Sequence, residues 1–356
     1  MRGIAINGRY LTRPVTGVDR FAIELLAAWL PRYGCSRPVR AIVPTRSAAK
    51  QVLGAAVPVN SFGILGGHAW EQIELPLYCR DEFLLNLCNT GPLLHGSQLI
   101  VLHDTGFLEN PSAYSRAFRS WYPFLFAHLL RRSQAVATVS NFAADELMRN
   151  FRVCRKDIEV IYEGGEHILR SDPDRSVLSR FDLVDRKYVL AVGSRNPNKN
   201  FGAIVCAAES LKDLGIVIVV AGGSNSRVFA GSSIDLSNLV MTGYVTDGQL
   251  RALYESAQCF VFPSYYEGFG LPPLEAMHCG CPVVVSNRAS LPEVCGEAVV
   301  YFDPSDSNDI ASQLRRVLFS EALRMELREA GFARARTFSW QRAAERLESI
   351  LQGIDL

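Results

Sequence analysis

The segment from Cys259 to His278 constrains the fold more than any other part of this sequence. Its first four residues, Cys259 to Phe262, are apolar and have the composition of a buried strand, and a loop with two glycines follows them. Pro272 and Pro273 then open a helix, because proline is favoured in the first helical turn. The order strand, glycine loop, helix predicts one unit of a parallel α/β sheet.

The same segment has the features of a phosphate site. A helix N-terminus offers N–H groups and a positive dipole end, and Gly268 and Gly270 let backbone amides come close to a ligand. The carboxylate of Glu275 suits the vicinal hydroxyls of a ribose, and Glu267 lies where it can meet the group that a diphosphate carries. These features predict a nucleotide sugar. The alternative, a proline-capped helix with two solvated glutamates, explains less of the pattern.

The remainder of the chain predicts two doubly wound α/β domains. A length of 356 residues is usual for two domains, and strand-like runs alternate with amphipathic helices throughout. We predict an N-terminal domain at 1–170, a second domain at 171–337 and a last helix at 338–356, with the polar segment 171–175 as the linker. In the first helix, Pro31 is expected to mark the end. The predicted strands lie at 4–7, 98–102, 135–139, 188–192, 216–220, 239–241, 259–262 and 282–285.

Composition indicates an ordinary globular protein of the cytoplasm. The net charge is +1, with 48% hydrophobic and 21% charged residues. The nine cysteines include no C-x-x-C pair, which favours a reducing compartment without disulfides or structural zinc. No signal-peptide core and no apolar run of ~20 residues occurs, so any membrane contact is expected to be peripheral. Residues 1–170 hold 19 Lys and Arg against 14 Asp and Glu, which indicates an anionic acceptor or membrane surface, or a chance distribution.

Two motifs resemble those of a known family. The run E-G-F-G-L-P-P-L-E-A-M, which begins at Glu267, resembles the Glu-x7-Glu signature of the retaining family 4 glycosyltransferases with the GT-B fold. The loop after the strand at 188–192 is similar to the family's Gly-x-Arg…Lys-Asn element, with Arg195 and Lys199 in the matching positions. The resemblance covers nearly the whole chain. It implies two Rossmann-like domains that face a central cleft, with the last helix packed back on the N-terminal domain.

The resemblance also implies a role for each site residue. Arg195 and Lys199 are expected to stabilise the leaving diphosphate without a metal, and Glu267 is expected to hold the sugar. His103, at a strand end, is expected on the acceptor side of the sugar, unless it is a structural histidine. Glu163 stands where the family usually has asparagine, which leaves any contact there undefined. The predicted catalytic residues are His103, Arg195, Lys199 and Glu267, and the predicted donor-binding residues are Gly17, Tyr244, Val245, Gly268, Phe269, Gly270, Leu271 and Glu275.

The implied activity is retaining transfer of a hexose to a glycan or lipid-linked glycan in surface polysaccharide assembly. Trp70–Glu71–Gln72 and His103–Asp104 resemble bacterial mannosyl- and rhamnosyltransferases of O-antigen assembly, which favours GDP-mannose as donor. The alternatives are a dTDP-rhamnose or UDP-sugar transferase and a non-catalytic sugar-nucleotide-binding scaffold. An epimerase would need further acid/base groups, and a phosphorylase would need a Schiff-base lysine; neither can be located.

No cofactor, no metal and no nucleic acid partner are expected. Asp172-x-Asp174 would be the metal motif of another glycosyltransferase class, but it lies in the predicted linker and is interpreted as solvated charge. The segment Arg116 to Arg132 has two interpretations. It is either a membrane-surface helix at the cytoplasmic face of the inner membrane, or a core helix with Phe118, Tyr122, Leu125 and Leu129 inward, which the spacing favours.

Overall fold

A computed structural model of the chain describes residues 3–34, 37–45, 57–109, 111, 114–193, 196–222 and 238–354. The chain forms two compact units. The first comprises Met1–Glu163 with Trp340–Leu356, and the second comprises Gly164–Ser339. The C-terminal segment from Trp340 therefore belongs to the first unit.

The boundary between the units precedes the predicted one at 170/171, because residues 164–171 pack on the second unit. Arg251 Nη1 donates to the carbonyl oxygens of Leu169 and Ser171, both at 3.0 Å. The predicted linker at 171–175 is likewise part of that unit, since the N–H of Asp174 donates to the carbonyl of Gly248 at 2.9 Å. The boundary therefore does not lie at the predicted linker, although Asp172 and Asp174 are exposed to solvent, as their interpretation as solvated charge expects.

The described strands of the first unit form a parallel seven-stranded sheet in the order β3-β2-β1-β4-β5-β6-β7. Short, apolar, mostly buried runs make these strands, as expected for a sheet with both faces covered. Their bounds are β1 Ile4–Asn7, β2 Val39–Pro44, β3 Val59–Phe62, β4 Phe83–Asn86, β5 Gln98–Val101, β6 Ala135–Thr138 and β7 Glu159–Val160.

Helices α3 to α6 and the π-helical turn contribute to two apolar clusters beside this sheet, and α1 buries Phe21, Leu25 and Trp29. Leu125, Phe126 and Leu129 of α5 are buried there, which supports the interpretation of this segment as a core helix. The bounds are α1 Gly17–Tyr33, α2 Gly67–Ala69, α3 Leu75–Tyr78, α4 Gly106–Glu109, α5 Arg116–Arg132 and α6 Asn141–Phe151, with a π-helical turn at Trp70–Glu74 and 3-10 turns at Gly8–Thr12 and Arg155–Asp157. Pro31 lies inside α1 and does not end it.

The described strands of the second unit form a parallel six-stranded sheet in the order β10-β9-β8-β11-β12-β13. The strands are β8 Tyr188–Val192, β9 Val217–Ala221, β10 Leu239–Gly243, β11 Cys259–Phe262, β12 Val283–Ser286 and β13 Val300–Phe302. The helices are α7 Ser176–Arg180, α8 Phe201–Leu211, α9 Asp247–Ser256, α10 Leu271–His278, α11 Leu291–Cys295, α12 Ser307–Phe319 and α13 Glu321–Ala335, with 3-10 turns at Glu166–Arg170, Pro197–Lys199 and Lys212–Leu214.

The last helix, α14 Trp340–Gln352, packs on α1 within the first unit. The indole N–H of Trp29 donates to Glu348 Oε2 at 3.0 Å, and the Trp340 ring meets the Phe21 ring edge to face at 6.0 Å. These contacts hold the last helix of the chain against the first one, α1. In the part of the chain that the structure describes, none of the helices combines the length and the apolar character needed to cross a bilayer.

Both sheets have a switch point at which the strand order reverses. It lies between β1 and β4 in the first unit and between β8 and β11 in the second. Open parallel α/β sheets bind ligands beyond the carboxyl ends of the strands at such points. The predicted class, two doubly wound Rossmann-like domains, is confirmed, and its two switch points are where ligands are expected.

Candidate active site

Two loops meet at the switch point of the second unit. One follows β8 through the 3-10 turn Pro197–Lys199, and the other follows β11 toward Glu267. The backbone N–H of Tyr265 donates to the carbonyl of Asn198 at 2.8 Å and joins the loops. The strand order thereby brings together side chains that lie 68 positions apart in the sequence.

Lys199 and Glu267 form an ion pair at this point. Lys199 Nζ lies 2.6 Å from Glu267 Oε1, and the two side chains are 22% and 12% exposed. The ammonium group also lies 5.1 Å from the centre of the Phe262 ring. The pair is thus mostly withdrawn from water but open to a ligand. A phosphate bound at Lys199 would release the Glu267 carboxylate to accept hydrogen bonds from hydroxyls.

Arg195, the other predicted cation, lies outside the described residues, so its role stays a prediction. The chain on either side of it is described. The N–H of Gly193 donates to the carbonyl of Ala221 at 3.1 Å, and Asn196 Oδ1 accepts from the N–H of Asn198 at 3.0 Å. These bonds fix both ends of the predicted phosphate loop.

The predicted donor-binding residues 268–271 form the approach to α10. Gly270 has a φ of +111°, in the left-handed region that favours glycine, and a Cβ there would lie 2.8 Å from Leu291 Cδ2. The loop leads directly into the N-terminus of α10, whose dipole favours an anion; Leu271 and Leu274 carry an N–H in this first turn, whereas Pro272 and Pro273 do not.

Buried neighbours fix the backbone of this loop. Ser290 Oγ lies 3.0 Å from the carbonyl oxygen of Glu267 and 2.7 Å from that of Phe269. The Phe269 ring is buried and meets Phe338 edge to face at 5.7 Å. Two carbonyl groups of the loop are thereby turned toward Ser290, and the loop enters α10 in one defined conformation.

Glu275 is buried in α10 and is held by two side chains. Its Oε1 lies 3.0 Å from His167 Nε2, and its Oε2 accepts from the Tyr254 hydroxyl at 3.2 Å. Burial and the Glu275 charge raise the pKa of Tyr254 well above its ordinary value, so this phenol stays protonated and donates. Each carboxylate oxygen retains a second acceptor position for a ligand hydroxyl.

The backbone at Gly165 lies against α10, and this places His167 next to that helix. A Cβ on Gly165 would lie 2.8 Å from His278 Cδ2 and 2.9 Å from Leu274 Cγ, so this position requires glycine. Burial, together with the neighbouring His167, lowers the pKa of His278 to about 4. His278 is therefore neutral near pH 7.

Tyr244 and Val245 follow β10. The Tyr244 side chain is 79% exposed, and the carbonyl of the preceding Gly243 accepts from the N–H of Gly222 at 2.9 Å. Nothing in these contacts assigns a base to the loop, and the predicted role of both residues in donor binding stays a prediction.

His103 follows β5 in the first unit and is 4% exposed. Its Nε2 lies 2.9 Å from the carbonyl oxygen of Leu87, and because a carbonyl only accepts, this bond requires the proton on Nε2. The opposite ring atom, Nδ1, lies 3.8 Å from Glu163 Oε1. The family's usual asparagine is thus replaced by a carboxylate beside the predicted catalytic histidine.

Gly17 is the first residue of α1. No described atom lies within 4 Å of the position that a Cβ on Gly17 would take. Packing of the described residues therefore does not require glycine there, and the predicted approach to the donor phosphate stays a prediction.

His167 and Tyr254, which contact Glu275, are not among the residues predicted from the sequence. His167 lies 108 positions from Glu275, and no sequence pattern links them. The pair of glycines at 164 and 165 could have served as an indirect signal, because glycine permits a close backbone approach, but it does not identify the partner.

Among the described residues, no three His, Cys, Asp or Glu side chains are grouped so that they could hold a metal ion. The Asp174 carboxylate accepts from the N–H of Ser176 at 3.0 Å and from Gln249 Nε2 at 3.3 Å. Metal independence stays a prediction.

Comparison with known proteins places both units among glycosyltransferases. Residues 180–334 match the family model described as "Glycosyl transferases group 1", and residues 91–165 match the model described as "Glycosyltransferase Family 4".

Curated relatives carry more specific names. The chain is 34% identical to "O-antigen chain mannosyltransferase B" of Escherichia coli, over 68% of this chain and 66% of that protein. It is 32% identical to "Serotype-specific mannosyltransferase WbdA" of Escherichia coli, over 68% of this chain and 32% of that protein. The matches therefore span just under two thirds of the first relative and about a third of the second.

Solved structures share the fold. Sucrose-phosphate synthase (tll1590) from Thermosynechococcus elongatus has a TM-score of 0.78 at 18% identity, covering 99% of both chains. WaaG, "a glycosyltransferase involved in lipopolysaccharide biosynthesis", has a TM-score of 0.74 at 16% identity, covering 99% of this chain and all of that one. At these identities the likeness shows the fold alone, and it confirms the fold predicted from the sequence.

Proposed function

We propose that this chain, which belongs to the family 4 glycosyltransferases with the GT-B fold, transfers mannose from a nucleotide sugar to a growing surface polysaccharide. The names of its relatives support this proposal, since the similar O-antigen mannosyltransferases act in that kind of assembly. GDP-mannose is the proposed donor, and a glycan or lipid-linked glycan is the proposed acceptor.

The observation that carries the proposal is the grouping at the second switch point. There the ion pair of Lys199 and Glu267 stands on the loops that follow β8 and β11, and the β11 loop leads into the N-terminus of α10. An ammonium and a helix N-terminus suit a diphosphate, and two carboxylates, Glu267 on the loop and Glu275 on α10, suit a sugar and a ribose. This set of groups matches the parts of a nucleotide sugar.

In the proposed reaction the protein stabilises charge and orients its substrates. As the bond between the sugar C1 and the diphosphate oxygen breaks, Lys199 and Arg195 stabilise the negative charge that develops on the leaving group. The acceptor oxygen forms the new bond to C1 on the same face, and its proton passes to the leaving phosphate. Glu267 holds sugar hydroxyls, Glu275 holds the ribose, and His103 stands on the acceptor side.

Retention of configuration, independence of metal and location at the cytoplasmic face of the inner membrane are parts of this proposal. Retention and independence of metal rest on the resemblance of the motifs, and the cytoplasmic location rests on the cysteine usage. The Tyr244–Val245 loop is the proposed contact of the base, through its backbone.

The proposal is tested by a transfer assay with radiolabelled GDP-mannose, UDP-glucose and dTDP-rhamnose and an octyl α-mannoside acceptor, with Lys199→Ala as the blank. We expect labelled product from GDP-mannose with the wild-type protein and not with the blank. Transfer from another donor would overturn the donor assignment. Donor binding without transfer to mannosides or to lipid-linked glycans extracted from membranes would favour a non-catalytic scaffold.

A further inference from the structure

Ser264 has a buried hydroxyl at the carboxyl end of β11, beside the switch point of the second unit. The residue is 1% exposed, and within the described part of the chain its Oγ has no hydrogen-bond partner. A buried hydroxyl without a partner costs stability, and most buried polar groups of native proteins have one. Because ligands of open α/β sheets bind beyond this end of the strands, the position of Ser264 points to a partner on the ligand.

The strand geometry turns the Ser264 side chain toward Lys199. Alternate side chains of an extended strand share a face, and no turn or bend interrupts the chain between Phe262 and Ser264. Phe262 faces the cation, since its ring centre lies 5.1 Å from Lys199 Nζ. Ser264 therefore lies on the same side of the strand, about 7 Å further toward its carboxyl end.

A backbone hydrogen bond holds the chain next to Ser264 against the turn that carries Lys199. The N–H of Tyr265 donates to the carbonyl of Asn198 at 2.8 Å, so the residues that follow Ser264 and precede Lys199 are joined. The ion pair of Lys199 and Glu267 stands on these same two loops. Ser264 is thereby placed beside the proposed diphosphate site.

The neighbouring charges favour an anionic acceptor for the Ser264 hydroxyl. The ammonium of Lys199 attracts a phosphate, whereas the Glu267 carboxylate already offers acceptors to sugar hydroxyls. A hydroxyl that donates to a charged oxygen forms a stronger bond than one that donates to a neutral oxygen. A phosphate oxygen is therefore the partner that suits Ser264 best.

We propose that Ser264 is a further donor-binding residue, whose hydroxyl donates to an oxygen of the diphosphate. The diphosphate takes the ammonium of Lys199 from Glu267, and the separation of this pair opens the Ser264 hydroxyl to the ligand. The proposal rests on the proposed function for the identity of its ligand, and it is tested without turnover.

The test is calorimetric titration of GDP and GDP-mannose into the wild type and Ser264→Ala, with inorganic pyrophosphate as a competitor of GDP. The substitution removes a hydroxyl that has no partner among the described residues, so thermal stability should equal or exceed that of the wild type. We expect the affinities for GDP, GDP-mannose and pyrophosphate each to weaken about tenfold, because a hydrogen bond to a charged group is lost.

Ser133→Ala is the matched control. Ser133 follows α5 in the first unit, and its buried Oγ likewise has no hydrogen-bond partner among the described residues. The control makes the same chemical change away from the proposed diphosphate site, so all three affinities should equal those of the wild type.

Equal GDP affinity in Ser264→Ala and the wild type would overturn the proposal. A loss confined to GDP-mannose would also overturn it, because a contact to the sugar leaves GDP unaffected. Lowered thermal stability of Ser264→Ala, or an equal loss of GDP affinity in Ser133→Ala, would show that the hydroxyl acts through the fold instead. If GDP binds through Ser264 but no nucleotide sugar supports transfer, the proposed function fails and the diphosphate contact stands.

Discussion

The Nε2 atom of His167 lies 3.0 Å from Oε1 of Glu275, and this contact fixes a buried carboxylate on α10 from a segment 108 residues away. The Tyr254 hydroxyl holds the other oxygen at 3.2 Å. Glu275 is therefore presented in one orientation before any ligand binds, which lowers the cost of binding.

We expect His167 to act as a positioning residue for Glu275. His167→Leu removes the contact to Oε1 and should weaken GDP affinity about fivefold to tenfold, whereas His167→Gln keeps a side-chain donor and should retain most of it. Calorimetric titration of GDP into both variants checks this. Equal affinities in the two variants, with lowered thermal stability in both, would mean that the contact is structural only.

Lys199→Ala should leave the fold intact and reduce kcat strongly. The side chain is partly exposed and stands outside the apolar core, and loss of one preorganised stabiliser costs about 3 kcal/mol of transition-state binding, or roughly 100-fold in rate. Lys187→Ala, an exposed lysine of the same unit, is the matched control. The assay is initial-rate transfer at saturating donor, with circular dichroism as the check on folding. Turnover equal to that of the control would show that Lys199 does not stabilise the transition state.

Activity should survive millimolar EDTA. The proposed site supplies Lys199, Arg195 and a helix N-terminus for the diphosphate, so no divalent ion is needed to neutralise it. The measurement is the transfer rate before and after chelation and dialysis. A loss of rate that Mn²⁺ or Mg²⁺ restores would contradict the prediction.

His278 should make stability depend on pH in the acid range. Its pKa is about 4 in the folded protein against 6.5 for an ordinary histidine, so between these values the unfolded chain binds more protons. The contribution of neutral His278 to the free energy of unfolding is present above pH 6.5 and is lost as the pH falls toward 4. Because one pKa unit corresponds to about 1.4 kcal/mol, His278→Gln should reduce the loss of unfolding free energy over this range by roughly 2 kcal/mol.

Urea unfolding of the wild type and His278→Gln at pH 7 and pH 4.5 measures this difference. Comparing the change with pH within each protein removes any constant effect of the substitution. Parallel losses in the two proteins would show that His278 does not titrate in this window.

The sequence predicted the class of fold because the strands of a parallel sheet are compact apolar runs. Ile4–Asn7, Tyr188–Val192 and Cys259–Phe262 lie where they were predicted. Phe83–Asn86 was not predicted, because a four-residue apolar run without alternation does not distinguish a strand from part of a helix. That omission concealed the switch point of the first unit, which lies between β1 and β4.

Other differences between the sequence-based predictions and the structure also have identifiable physical causes. Pro31 was expected to end α1, but the helix continues to Tyr33, because a proline in the last turn removes one backbone donor without forbidding the remaining residues. The contacts of Glu275 arise from packing of α9, α10 and the 3-10 turn Glu166–Arg170, and no local pattern encodes them.

The proposed placement of the donor between Glu267 and Glu275 is tested most directly by calorimetric titration of nucleoside diphosphates. GDP, UDP and dTDP are titrated into the wild type, Glu267→Gln and Glu275→Ala. We predict that GDP binds best, that Glu267→Gln keeps this affinity because its carboxylate serves the sugar, and that Glu275→Ala loses ~1.5–3 kcal/mol because its carboxylate holds the ribose. The reverse pattern, with affinity lost in Glu267→Gln and kept in Glu275→Ala, would show that the donor is placed the wrong way round.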